Sequence, residues 1–172
     1  MKFEIGALYT ADEIQHHLEV GNAGGIRVSL KDRKVKRVAL LTVVPSAKLE
    51  RENPYHDRVE GDVLVYSAAG LQGDQSLAGV NKRLPEQSKS FFPVYGFRLN
   101  KSRRKAESRR WEFLGLLQFL RVSPDNQLDR DGRLRRVWSF ELRICSEFQS
   151  VEMAQEQSLT KAAFESTSFD SE

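Results

Sequence analysis

The sequence predicts an α+β, mainly β domain: a small, partly closed β-barrel with one or two flanking helices. Three observations predict it. Six runs of alternating or near-continuous apolar residues are separated by turn material. Helical spacing appears only in short segments. The length, 172 residues, suits one domain, and 10 Phe, 4 Tyr and 2 Trp supply large groups to bury.

Residues 10–20 open on Thr10, carry Glu13 three positions later and place Ile14 and Leu18 on one face, so they read as a capped helix. Asn22-Ala-Gly-Gly25 breaks it. Ile26–Leu30 and Val38–Val44 read as strands, with Lys31–Arg37 between them as a basic turn or loop. Pro45–Arg58 is a long polar loop, and Asp62–Ser67 is a strand. Asp74–Leu84 spaces Leu77, Val80, Asn81 and Leu84 as a helix, with Asp74 as N-cap and Pro85 as terminator. Phe91–Leu99, Trp111–Val122 and Arg135–Cys145 are strands, and Pro124–Gly132 is turn material. Composition then divides the chain into a domain over 1–148 and an acidic, polar C-terminal helix, tail or linker over 149–172. In the latter, Glu152–Phe164 has amphipathic spacing and Glu165–Glu172 reads as disordered.

Charge points to a polyanion. Lys and Arg number 27 against 24 acids. From Glu147 onward six acids face one base, Lys161, so residues 1–146 carry +8. The bases gather at Lys31–Arg37 and at Arg98–Arg110, a footprint of nucleic-acid binding. No run of about 18 apolar residues is present for a membrane span. The N-terminus lacks the apolar core of a secretory signal. One cysteine, Cys145, excludes an intrachain disulfide framework and reads as a buried thiol.

Catalytic signatures are sparse. There is no HExxH, GxSxG, P-loop or deaminase motif. His16 and His17 are helix neighbours and face apart, and neither a metal site nor a cofactor is expected. The one enzyme pattern is nuclease-like: Pro124-Asp125 with Glu141-Leu-Arg143, where Arg replaces the usual Lys. The acids are scattered singly, whereas metal-assisted cleavage needs converging carboxylates.

One stretch carries more. From Asn53 to Arg98 the chain orders Tyr55 and Asp57, Tyr66-Ser67-Ala68, Gly70, Gly73, Asp74-Gln75, Leu77, Asn81, Leu84, Pro93-Val94 and Arg98. This order and spacing resembles the SRA (SET- and RING-associated, YDG) family. Asn22-Ala-Gly-Gly-Ile-Arg27 upstream is similar to the glycine segment of bacterial SRA-like domains, including those of modification-dependent restriction systems.

The resemblance implies a PUA-like barrel that binds double-stranded DNA and extrudes a modified cytosine, 5-methyl- or 5-hydroxymethylcytosine, into a pocket. By motif match Asp57 would accept the cytosine amino group, Tyr55 and Tyr66 would stack on its faces, and Ser67 and Ala68 would surround the 5-substituent. The departures are a single Asp followed by Arg58, and Ser67-Ala68 in place of Thr-Gly. Asn22, Gly24, Gly25, Arg27, Lys31, Arg33, Lys34, Gln72, Arg98, Lys101, Arg103 and Arg104 would contact DNA. Cleavage would come from a fused or associated nuclease, with no membrane partner. The setting would be the nucleoid-bearing cytoplasm in a bacterium or the nucleus in a eukaryote. Read without the family, Tyr66 and Trp138 are core residues, Tyr55–Asp57 is an exposed turn, and a PUA-like RNA-binding module or a nuclease remains open.

Overall fold

The structure is a computed structural model and describes residues 1–43, 57–68, 74–100, 109–129 and 131–170. In chain order the elements are β1 (Lys2–Glu4), β2 (Leu8–Thr10), α1 (Ala11–Leu18), β3 (Ile26–Lys31), β4 (Lys34–Thr42), β5 (Arg58–Glu60) and β6 (Val63–Ser67). There follow α2 (Arg83–Ser90), β7 (Val94–Asn100), β8 (Arg110–Leu128), β9 (Leu134–Ile144), β10 (Ser150–Glu152) and α3 (Glu156–Asp170). Short 3₁₀ turns precede α2 and α3.

The main sheet runs β3-β4-β7-β8-β9-β6-β5, with β2 on the first part of β8. All its pairings are antiparallel except β4 with β7. The near-continuous apolar run of β4 follows from its place in the middle: Val38 and Leu40 face one core, Ala39 and Leu41 another. A strand covered on both faces has no polar side to show.

The sheet curls as the predicted partly closed barrel, and its ladder stays open, with β3 and β5 as edges among the described residues. Side chains bring the two ends together. Inside the curl lies one core, built from Ile26, Leu40, Leu64, Tyr66, Leu117 and Phe140 among others. Gln87, fully buried on α2, fixes the corner of β8: its amide donates to the carbonyls of Phe92 and Leu117 and accepts from the Phe119 N–H.

The outer core holds Phe3, Tyr95, Phe97 and Phe113 in mutual ring contact, covered by α1 and α3. β1 pairs with β10, Phe3 opposite Val151, and Leu159 and Ala163 of α3 join the outer core, so residues 150–163 pack into the same fold. A buried ion pair ties them down. Glu156 at the start of α3 accepts from Arg37 of β4 (2.7 Å) and from the Tyr95 hydroxyl (2.6 Å). The Arg37 guanidinium also donates to the Leu18 carbonyl at 3.0 Å.

The Thr10–Glu13 capping box forms in both directions, as the sequence predicts. The basic segment 31–37, read as a turn or loop, turns at Asp32-Arg33 alone, both left-handed (φ +53° and +66°), and Lys34 onward is strand. Four expectations are corrected. The helix expected over 74–84 lies later, at 83–90, with Pro85 in its first turn, where no N–H is needed. Asp74 caps no helix and accepts instead from the Arg136 N–H (2.7 Å). Residues 124–128, read as a turn, continue β8. Pro124 is tolerated because its partner Trp138 turns both backbone groups the other way, toward Ala68 and Gln75, so β9 asks for no donor there. Helix α3 runs to Asp170, through most of the stretch expected to be disordered.

Candidate nucleic-acid interface

Strand ends decide where the candidate residues meet. β4 and β7 run parallel with Thr42 opposite Arg98, and the end of β6 comes up to Thr42 from across the curl. Asp57, just before β5, is the joint. Its carboxylate accepts from the Thr42 hydroxyl (2.7 Å) and the Ser67 N–H (2.9 Å). It is 6% exposed and faces no cation among the described residues. Burial is the main cause that pushes its pKa up to about 6, against the lowering effect of these donors. Each carboxylate oxygen can accept more than one hydrogen bond, so Asp57 keeps acceptor capacity.

Tyr66, Ser67 and Ala68 form one wall beside it, all buried. Tyr66 packs in the inner core, and its hydroxyl lies against Gly25. A Cβ at Gly25 would overlap that hydroxyl and come 3.0 Å from the Leu41 carbonyl oxygen, so only glycine fits. Ala68 is held by its N–H to the Trp138 carbonyl (2.8 Å) and by the Gln75 side chain, which donates to its carbonyl (2.5 Å). Gln75 also accepts from the Trp138 N–H, at 2.9 Å.

The structure brings Gly24, Gly25, Arg27, Asp57, Tyr66, Ser67, Ala68 and Arg98 to this rim. Asn22 is exposed on the loop leading to it. Arg27 donates to the Gly24 carbonyl (2.9 Å), and Arg98 pairs with Glu112 (2.7 Å). Tyr55, Gln72, Lys101, Arg103 and Arg104 lie outside the described residues. Lys31, Arg33 and Lys34 do not join them. They are exposed at the other end of β4, roughly 26 Å away at the rise of a strand.

Past the rim, β8 and β9 continue as a two-stranded arm. The face that points inward at Phe140 continues outward on the arm as Trp138, Arg136, Pro124 and Asn126, with Leu128 and Leu134 exposed at the tip. The nuclease-like pair does not assemble. Asp125 sits opposite Val137, while Glu141 is opposite and ion-paired with Arg121, four residues along the strand. No metal-binding cluster exists among the described residues.

Sequence reasoning missed Thr42, a buried hydroxyl in an otherwise apolar run, and that interruption was the available signal. Trp138, read as core or barrel-face packing, does pack against the inner core. Its neighbour Arg136 was passed over, because Pro124 marked that region as a turn.

A model of the ScoMcrA-like SRA domain matches residues 30–162. The chain belongs to that family. Among solved structures, this SRA domain is similar to the SUVH5 SRA in complex with fully methylated CG DNA: 19% identity over 83% of this chain and 89% of that one, TM-score 0.58. It is similar to the DNA recognition domain of the cytosine modification-dependent restriction endonuclease LpnPI (16% identity, 88% and 77% covered, TM-score 0.66). It also resembles the DNA modification-dependent restriction endonuclease AspBHI (14% identity, TM-score 0.63), 90% of this chain aligning with 44% of that one. At such identities the likeness carries the fold. No curated protein matches the chain. No helix among the described residues of this SRA domain is long and apolar enough to cross a membrane.

Proposed function

We propose that this domain reads modified cytosine in double-stranded DNA, holding the base turned out of the duplex at the rim beside Asp57. The observation that carries the reading is the Asp57 carboxylate itself. It is buried and held by donors from Thr42 and Ser67, with no cation beside it among the described residues. A buried, uncompensated charge is costly to fold, and a donor group brought by a ligand relieves that cost. The cytosine amino group is such a donor. Family membership, and relatives solved with methylated DNA, support the choice of ligand.

In this reading Tyr66 is the barrel-side wall of the slot, Tyr55 takes the opposite face, and Ser67 and Ala68 set the space for the 5-substituent. Stacking returns about 1–3 kcal/mol per base against a few kcal/mol for extrusion. A methyl group adds about 1 kcal/mol, so most of the affinity comes from phosphate contacts. Arg27 and Arg98 supply them at the rim, Lys101, Arg103 and Arg104 add to them, and Lys31, Arg33 and Lys34 reach a more distant part of the duplex. The domain acts as the specificity module of a restriction system, in the cytoplasm if bacterial, with cleavage supplied by a nuclease domain or subunit.

Binding of unmodified, 5-methyl- and 5-hydroxymethylcytosine duplexes tests this. The wild-type chain prefers a modified duplex, and Asp57→Asn loses the preference while keeping salt-sensitive, non-specific affinity. Equal affinity of the wild type for all three sinks the proposal.

A further inference from the structure

We infer that the cleft on the β8–β9 arm is a second nucleotide subsite, taking the base that neighbours the extruded cytosine in a stack on Trp138. The inference rests on the slot reading above and adds to it the selection of flanking sequence.

The cleft measures about 380 Å³ and is lined by Pro124, Asp125, Asn126, Arg136 and Trp138. Its chemistry is that of a nucleotide site. Trp138 is half-buried and continues the inward face of β9 beyond Phe140. Arg136 is exposed, and its guanidinium has no partner among the described residues. The Asn126 carboxamide and Asp125 carboxylate offer a donor and acceptors for a base edge. An indole returns stacking energy to any base, and a guanidinium beside it suits the attached phosphate.

Position names the occupant. Trp138 is bonded through its own backbone to the slot wall and to the side chain that holds it: its carbonyl accepts from the Ala68 N–H, and its N–H donates to the Gln75 side-chain oxygen. The adjoining peptide is equally fixed. The Arg136 N–H donates to Asp74 (2.7 Å), and its carbonyl accepts from the Gln75 N–H (2.9 Å). The cleft is thus rigidly joined to the residues that hold the extruded base, and the nearest polyanion to reach it is the same DNA strand.

A chemical double-perturbation cycle tests this. Modified duplexes are prepared intact or with an abasic nucleotide on the 5′ or the 3′ side of the modified cytosine. Binding is measured for wild type and Trp138→Leu, which keeps apolar packing against Phe140 but has no π face. Trp138→Leu binds the intact duplex about tenfold more weakly. On the duplex abasic at one of the two neighbours the wild-type to variant ratio falls to about one. Softening of the duplex by the abasic site cancels in that ratio. Arg136→Ala, at an exposed position, weakens binding several-fold at low salt, with the difference closing as salt rises. The inference is overturned if Trp138→Leu loses the same factor on all three duplexes, which marks a backbone or packing role, or if neither variant changes affinity. A wild type that does not prefer modified DNA defeats the slot reading instead. An intact preference with an unchanged ratio defeats this inference alone.

Discussion

Replacing Asp57 by Asn should stabilise the fold while removing its selectivity. Asp57 titrates near 6 in the folded chain and near 3.8 when exposed. The group therefore binds its proton more tightly in the folded state. Below pH 3.8 both states are protonated and the site contributes nothing. Between 3.8 and 6 only the folded state holds the proton, so stability falls as pH rises, and above 6 the whole cost of the buried anion is present. Two pH units correspond to about 3 kcal/mol at pH 8. Asn is isosteric and neutral. Its Oδ1 can accept from Ser67, and its amide can donate to the Thr42 hydroxyl, which rotates to accept. For a chain of this length, each kcal/mol moves Tm by about 2–4 °C. Thermal unfolding should therefore show Asp57→Asn melting about 6–12 °C above wild type at pH 8, with the gain shrinking toward zero near pH 4. A variant that melts below wild type at pH 8, or a gain equal at both pH values, refutes the reasoning. The same titration predicts that wild-type preference for modified DNA fades as pH drops below about 6, since a protonated carboxyl is a poorer acceptor.

Other perturbations separate support from recognition. Gly25→Ala drives a methyl into the Tyr66 hydroxyl; chemical denaturation should show a loss of about 1–3 kcal/mol, together with weaker binding to modified DNA. Glu156→Gln takes the buried counter-charge from the Arg37 guanidinium and leaves it only the exposed Glu19 carboxylate at 3.6 Å, and urea unfolding should report a loss of about 3–5 kcal/mol with DNA selectivity kept in the fraction that folds. Gln87→Leu strands two buried carbonyls and one N–H at the corner of β8. It should cost about 3 kcal/mol or more in the same assay and speed amide exchange at Phe119.

Local signals were the legible part of this fold. The Thr10–Glu13 box and the two-sided apolar run of β4 each state their structure within a few residues, and the inner barrel strands follow from alternation. Signals whose meaning depends on a distant partner were misread. Pro124 looks like a turn until Trp138 is seen to direct its hydrogen bonds elsewhere. Asp74 looks like a cap until Arg136 arrives opposite. Glu156 reads as a solvated acid of a polar tail until Arg37, 119 positions earlier, meets it in the core. Of the candidate site, Asp57 and the Tyr66–Ala68 wall were visible only through an order and spacing that resemble the SRA family, since alone they read as a turn and as core. The separation of the two basic clusters was not, since it depends on which end of a strand each one occupies.

The Gln75 side chain bridges Ala68 and Trp138, and so fastens both feet of the segment 69–73 to the sheet independently of what that segment contains. Closure entropy grows slowly with contour, by about 0.6 kcal/mol for each doubling. Chain length and residue identity between those feet can accordingly change with little penalty to the barrel. Such a clasp makes 69–73 the natural place to exchange sequence when redirecting this scaffold toward another base, with Ala68 and Gln75 left untouched as fixed splice points.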